Sequence, residues 1–167
     1  RGNNIPTITT SFVLEDERLV HLGSAANNLL NFSTWSSKLE NQENKLFISD
    51  YVKQYSKTPN QFAYLGYESG LILYNALTNC NSDFSGNTLV EAMNGCQLKS
   101  PAGDIFINKK TGLVDNPVYL CKTKIQTNFY PENNVLEKFK PESESSGVFE
   151  TFDTAIHSGW LNPYPFV

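Results

Sequence analysis

Residues 55–67, Tyr-Ser-Lys-Thr-Pro-Asn-Gln-Phe-Ala-Tyr-Leu-Gly-Tyr, join two helical patterns through a short polar break. Before the break, apolar side chains recur at one-, three- and four-residue spacing over residues 41–56, which predicts an amphipathic helix. Pro59 ends that helix, and Asn60 is a suitable cap for a second helix that runs to about Thr78. Because the second helix is apolar on nearly all sides, we expect it to form the buried centre of its layer.

Strand patterns lie upstream of this helix pair. Residues 5–12 are rich in β-branched side chains between turn residues, which predicts a strand that runs into a loop near Ser11. A short helix over residues 15–22 is expected to stop at Gly23, and residues 28–33 indicate another short strand. The chain therefore begins with a strand, a helix and a strand.

Downstream of the helix pair the pattern changes from helix to strands. Residues 85–95 predict a third helix, and residues 104–108 and 116–124 predict two strands joined by a turn. Residues 131–147, with their Pro, Glu, Asn and Ser, indicate an exposed connector. The aromatic end of the chain is expected to dock onto the body through Trp160, Tyr164 and Phe166. This order of elements is α/β, with too few strands for a complete doubly wound sheet.

Composition and charge exclude several classes of protein. In 167 residues, 17 acidic side chains outweigh 13 basic ones, and the basic residues are scattered, which argues against nucleic acid as a partner. The apolar runs fall short of the roughly 20 residues that cross a bilayer. The three cysteines and two histidines match no metal-binding spacing, and no nucleophile motif or phosphate-binding glycine loop occurs. We therefore predict no catalytic residues, no metal and no cofactor.

Five short motifs follow one another in order over about residues 5–124. They are Ile5-Pro6-x-Ile8-x-Thr10-Ser11-Phe12, Leu22-Gly23-Ser24-Ala25-Ala26, Trp35-Ser36 before Asn44-Lys45-x-Phe47, Tyr55-x-Lys57-x-Pro59-x-x-Phe62-Ala63-x-x-Gly66-Tyr67, and Ser100-Pro101-x-Gly103-x-Ile105-x-Ile107. In this order and spacing the chain resembles the type I periplasmic solute-binding proteins of ABC importers, in the branch of the Leu/Ile/Val receptors.

The resemblance implies an α/β fold made of two lobes, each a parallel sheet flanked by helices, that close on a ligand. The chain would be the C-terminal half of that fold, with the N-terminal half absent. Residues 1–33 would be the end of the second-lobe sheet with a hinge crossing, and residues 34–103 the first-lobe helices. Residues 104–130 would be the return crossing and second-lobe strands. Residues 131–167 would be a polar and aromatic C-terminal extension without a counterpart in the family.

The resemblance also implies where a ligand would bind. The candidate ligand-binding residues are Thr10, Ser11, Phe12, Trp35, Phe62 and Tyr64. In amino-acid-binding relatives an acidic residue occupies the place of Ser11, so an uncharged or carboxylate-only solute is favoured here over an α-amino acid. Each assignment has a structural alternative: Thr10 and Ser11 as the strand end, Trp35 as an anchor of the crossing, and the aromatic side chains on the helix as core packing.

The predicted function is capture of a small organic solute, such as an amino acid, an amide or an aromatic acid, for an ABC permease. The expected partners are that solute, the permease and the missing N-terminal half. The resemblance implies a periplasmic or otherwise extracytoplasmic location, with or without a membrane anchor, and a protein that is not an enzyme. The alternative is a sensory or regulatory ligand-binding domain of the same fold.

Overall fold

The computed structural model describes residues 7–80, 84–109, 112–125 and 131–140. A strand, a helix and a strand are followed by three consecutive helices and then by five strands, with a 3-10 turn at Gly23–Ala26. The elements are β1 (Ile8–Thr10), α1 (Asp16–Leu22), β2 (Leu30–Ser33), α2 (Gln42–Tyr55), α3 (Gln61–Asn79), α4 (Gly86–Met93), β3 (Gln97–Ser100), β4 (Gly103–Ile107), β5 (Val114–Asp115), β6 (Val118–Ile125) and β7 (Pro131–Phe139). The α/β class is confirmed.

The described strands form two sheets. The larger sheet has the order β1-β2-β6-β7, and the smaller one has the order β3-β4-β5. Strands β1 and β2 are parallel, whereas β6 is antiparallel to both of its neighbours, and the smaller sheet is antiparallel throughout. Among the described strands, β1 and β2 are the pair that runs parallel, and helix α1 connects them. The short connections elsewhere join antiparallel neighbours because parallel strands need a long crossover.

The predicted helices are confirmed to within two residues at each end. Helix α3 begins where expected because the Asn60 side-chain oxygen accepts a hydrogen bond from the backbone N–H of Ala63 at 2.9 Å. Helix α2 ends at Ser56, which adopts the left-handed conformation that closes many helices. Local capping therefore fixes the break between the two helices.

The prediction that α3 forms the buried centre of its layer was wrong. Its buried residues are Gln61, Tyr64, Glu68 and Ala76, while the side chain of Tyr74 is 67% exposed. The first three buried positions are spaced three and four apart, so they form a single stripe along the helix. An apolar face of a helix is buried only where a neighbouring element covers it. Among the described residues, neighbours cover one face of α3.

The prediction of an exposed connector at residues 131–147 was also wrong for its first part. Residues Pro131–Phe139 form β7, which pairs antiparallel with β6 along its whole length. Strand β3, between α4 and β4, was not predicted either. Residues 141–167, with the aromatic end that was expected to dock, lie outside the described residues.

Among the described residues, two clusters of buried apolar side chains contribute to the core. One cluster contains Trp35, Phe47, Tyr64 and Ala102, with partly buried residues of α2 and α3 packed around it. The other lies around α1 and the 3-10 turn and contains Leu14, Leu19 and Ala26. Trp35 from the first cluster and Leu14 from the second both reach the same hollow. Both clusters therefore contribute a side chain to the lining of the hollow.

Candidate functional site

A hollow of about 330 Å³ lies where the larger sheet meets the segment between β2 and α3. Its volume is in the range of small-molecule binding sites. The lining side chains are mostly polar. They are Ser11, Leu14, Glu15, Val20, Asn31, Ser33, Trp35, Ser36, Ser37, Lys38, Thr58, Asn60, Gln61, Cys121, Glu132 and Asn133.

The loop after β1 forms one wall of the hollow. Because β1 and β2 are parallel, their carboxyl ends reach the same edge of the sheet, where ligands bind in open α/β sheets. The backbone N–H of Ser11 donates to the carbonyl of Phe32 at 3.0 Å, and the carbonyl of Ser11 accepts from the N–H of Leu14 at 3.1 Å. These two bonds place the half-buried Ser11 side chain beside the end of β2.

Neutral polar groups connect the end of β2 to the start of α3. The Ser33 hydroxyl lies 3.2 Å from Gln61 Oε1 and 2.5 Å from the carbonyl oxygen of Trp35. Gln61 Nε2 donates to Thr34 Oγ1 at 3.0 Å. The Ser33 hydroxyl has one proton, so it donates to one of these two oxygens at a time. Both Ser33 and Gln61 are buried, so these contacts satisfy groups that water cannot easily reach.

Strand β7 supplies the opposite wall with one charged and one amide side chain. Glu132 lies 3.3 Å from Lys38 Nζ, and both side chains are partly exposed, so solvent weakens this ion pair. Asn133 donates from Nδ2 to the carbonyl of Leu14 at 2.6 Å, and its Oδ1 accepts from Asn31 Nδ2 at 2.9 Å. Glu132 and Asn133 thus belong to the lining of the hollow, although the sequence analysis did not predict them.

Trp35 forms the floor of the hollow and is itself held from behind. Its ring stacks on that of Tyr64 with centroids 5.4 Å apart and planes 7° apart, and its Nε1–H donates to Asn44 Oδ1 at 2.7 Å. Tyr64 is fully buried and its hydroxyl donates to the Glu68 carboxylate. Burial, followed by the charge of Glu68, raises the pKa of Tyr64 above its ordinary value. Tyr64 therefore stays neutral and supports Trp35.

Two exposed phenylalanines contact each other beside the hollow. The rings of Phe12 and Phe62 lie 5.7 Å apart between centroids, and the side chains are 45% and 59% exposed. Each follows directly on a lining residue, Ser11 and Gln61 respectively. Exposed aromatic rings in such a place offer apolar surface to a bound molecule.

The six predicted binding residues thus separate into three groups. Ser11 and Trp35 line the hollow, and Phe12 and Phe62 lie next to lining residues. Thr10 ends β1 with an exposed side chain that does not line the hollow, and Tyr64 lies behind Trp35. The remaining lining side chains, including all those from β7, were not predicted.

Other features of the described residues add no further chemistry. Within them, no three His, Cys, Asp or Glu side chains come close enough together to hold a metal ion. None of the helices in the described ranges has the length and apolar character needed to cross a membrane. Cys80, Cys96 and Cys121, which all lie within the described ranges, form no disulfide bond, and Cys121 lines the hollow with 1% of its surface exposed.

The sequence profile of the periplasmic binding proteins matches residues 2–128, which is most of the chain. The chain therefore belongs to the periplasmic binding protein family. This family and its structural neighbours are solute-binding proteins of transport systems, so the prediction of a protein that is not an enzyme is confirmed. A search of curated proteins found no match to the chain.

Solved structures of solute-binding proteins share the fold. The protein from Rhodopseudomonas palustris BisB5, in complex with 3,4-dihydroxy benzoic acid, is 25% identical with a TM-score of 0.73 over 83% of this chain and 38% of that one. The substrate-binding protein of Sphaerobacter thermophilus is 20% identical with a TM-score of 0.75, over 82% and 38%. The Leu-, Ile-, Val-, Thr- and Ala-binding protein of Brucella ovis is 13% identical with a TM-score of 0.65, over 74% and 34%. The chain spans less than two fifths of each.

Proposed function

We propose that the protein captures a small organic solute for an ABC permease and holds it in the hollow between the larger sheet and the start of α3. The observation that carries the proposal is the convergence of Ser11, Trp35 and Gln61, from three separate segments, on one space of about 330 Å³. Family membership supports a solute-binding role and an extracytoplasmic location. An ABC permease as partner and a location outside the cytoplasm, with or without a membrane anchor, are part of the proposal.

The proposed roles follow from the surroundings of each side chain. Ser11 offers a hydroxyl that both donates and accepts, and Phe12 and Phe62 offer apolar ring surface. Trp35 supplies the rigid floor, which Tyr64 supports from behind. No atom of this arrangement needs to react with the solute.

We include a second wall in the proposal. The chain corresponds to 38% of the length of the first two solved structures, and α3 carries exposed aromatic side chains. A preceding N-terminal half of the same protein would complete the cleft and cover part of that apolar surface. Amino acids, amides and aromatic acids are the solute classes to test, and the aromatic acids come first because the R. palustris BisB5 protein was solved with one.

The direct test is a thermal-shift screen of the protein in its natural length against 4-hydroxybenzoate, benzamide and leucine. A solute present at one hundred times its Kd should stabilise the protein by about 2.7 kcal/mol. That corresponds to a rise in Tm of at least about 2 °C. If none of the three classes, including close analogues, raises Tm, the proposed function is wrong.

Matched variants assign the binding to the hollow. Ser11→Ala and Phe62→Ala should each weaken binding about five- to fiftyfold, which corresponds to about 1–2.3 kcal/mol. The controls are Ser69→Ala and Phe84→Ala, two exposed positions that do not line the hollow. Equal losses in the test and control variants would contradict this location of the site.

A further inference from the structure

Asn133 connects three other segments of the chain through one side chain. It lies on β7, beyond residue 128 where the family match ends. Its amide group contacts the carbonyl of Leu14 at 2.6 Å, Asn31 Nδ2 at 2.9 Å and Thr123 Oγ1 at 3.0 Å. These partners belong to the loop before α1, to β2 and to β6, and Asn133 also lines the hollow.

The chemistry of these partners fixes the orientation of the amide. The Leu14 carbonyl can only accept, so Nδ2 of Asn133 must face it. Oδ1 then uses its two lone pairs for the two donors, Asn31 Nδ2 and Thr123 Oγ1. A carboxylate of the same shape could keep both acceptor roles, but it could not donate to Leu14. The position therefore requires an amide and not merely a polar side chain of this size.

The bond to Leu14 bears directly on the wall of the hollow. Leu14 is 1% exposed, and its backbone N–H donates to the carbonyl of Ser11 at 3.1 Å. A restraint on the Leu14 carbonyl is thus transmitted through one tight turn to Ser11. On the other side, Asn31 is 1% exposed and lines the hollow. Asn133 therefore bonds both to the loop that forms one wall and to a lining residue of β2.

We propose that Asn133 is a positioning residue for the hollow. It holds the loop of residues 11–14 against β2, and the position of that loop sets which solute the hollow accepts. The second statement rests on the proposed function, whereas the first concerns the loop alone. In this proposal strand β7 contributes a side chain that positions the lining loop.

The adjacent residue provides a matched control. Successive side chains of a strand point to opposite faces, so Asn134 lies on the other face of β7, and it does not line the hollow. Asn133→Asp and Asn134→Asp add the same charge to the same strand. At neutral pH only the first replaces the donor to Leu14 by an oxygen that repels its carbonyl.

The first experiment needs no solute. Hydrogen–deuterium exchange of the natural-length protein should show the amides of residues 11–14 exchanging about tenfold or more faster in Asn133→Asp than in Asn134→Asp. Asn133→Ser, which is uncharged and too short to reach Leu14, should have a smaller effect in the same direction and replaces Asn133→Asp if that variant does not fold. Equal exchange of this loop in the test and control variants would overturn the positioning role.

The second experiment measures affinity, with 4-hydroxybenzoate as the probe in titration calorimetry. At pH 7, Asn133→Asp should bind the probe at least about tenfold more weakly than Asn134→Asp. The difference should narrow as the pH falls towards about 4, because the introduced carboxyl then carries a proton that it can donate to Leu14. The probe has a carboxyl group of its own, which also takes up a proton as the pH falls. This change affects the binding of both variants equally, so the Asn134→Asp variant corrects for it. A merely destabilising substitution would lower Tm without changing the affinity of the molecules that remain folded.

The two experiments separate the two ideas. If 4-hydroxybenzoate does not bind the wild type, the proposed function fails for that solute, and the exchange measurement still decides whether Asn133 positions the loop. If the probe binds and both variants bind it equally at pH 7, the effect of Asn133 on solute acceptance is refuted even where the loop exchanges faster.

Discussion

Asn44 should be among the most important single side chains for stability, although it is an ordinary polar residue near the start of α2. It is fully buried, and its Oδ1 accepts from Trp35 Nε1 at 2.7 Å. Its Nδ2 donates to the carbonyl of Leu39 at 2.8 Å and lies 3.2 Å from that of Ser36. The Asn44 amide therefore bonds to the indole N–H of Trp35. It also holds the segment of residues 36–39, in which Ser36, Ser37 and Lys38 line the hollow.

The substitution Asn44→Ala would leave the buried indole N–H and the carbonyl of Leu39 without these bonds, whereas the carbonyl of Ser36 still accepts from the backbone N–H of Leu39. Each buried polar group that loses its partner costs about 1–3 kcal/mol. Because the cavity would admit some water, we expect a total of about 3–5 kcal/mol, which is a large part of the 5–15 kcal/mol typical of a whole domain. Trp35 would also lose the bond that fixes its ring.

Urea unfolding at equilibrium measures this loss. The control is Gln54→Ala, which removes an exposed amide from the same helix and should change the free energy of unfolding by less than about 0.5 kcal/mol. A loss below about 1 kcal/mol in Asn44→Ala would refute the reasoning, because the bonds of the Asn44 amide would then contribute no more than one ordinary hydrogen bond.

Three further outcomes test the packing behind the site. Gly103 has φ 115° and an added Cβ would lie 3.2 Å from Lys138 Nζ, so Gly103→Ala should lower the free energy of unfolding in urea by about 1–3 kcal/mol; an unchanged value would contradict the strain. Gly66→Ala, in α3 with open space around the added Cβ, should instead raise it by up to about 1 kcal/mol, and a loss would show that this face is covered. In an absorbance titration Tyr64 should ionise above the ordinary tyrosine pKa of 10.0, because burial and then Glu68 raise its pKa. Its stabilising contribution is therefore complete below pH 10 and is lost as the pH rises further; ionisation of Tyr64 at the ordinary pKa would contradict this.

The helices could be predicted from the sequence because their signals are local. Apolar spacing sets α2 and α3, and Asn60 caps the second of them within three residues of its own position. The motif order likewise identified the family that the profile match confirms. What depends on distant pairing was not predicted, as with β7, whose polar sequence forms a strand only because β6 offers a partner edge.

The side of β2 that faces the hollow illustrates why most of the lining residues were not predicted. In this strand Asn31 and Ser33 are buried, whereas Phe32 is 41% exposed and packs edge-on against Phe139. Alternation along a strand usually assigns the apolar face to the interior. Here the polar face turns inward because the hollow and Asn133 lie on that side. In such a strand polar and apolar residues alternate, and the pattern alone does not show which of the two faces is buried. The neighbouring elements decide it.

The stacked indole at the floor of the hollow places an intrinsic fluorophore at the proposed binding site. These 167 residues contain two tryptophans, and Trp160→Phe would leave Trp35 as the one tryptophan among them. With 5% of its surface exposed and Tyr64 against one face, Trp35 should emit at short wavelength. A solute that replaces water against the other face should change the intensity of that emission, so uptake can be followed in real time without any attached dye.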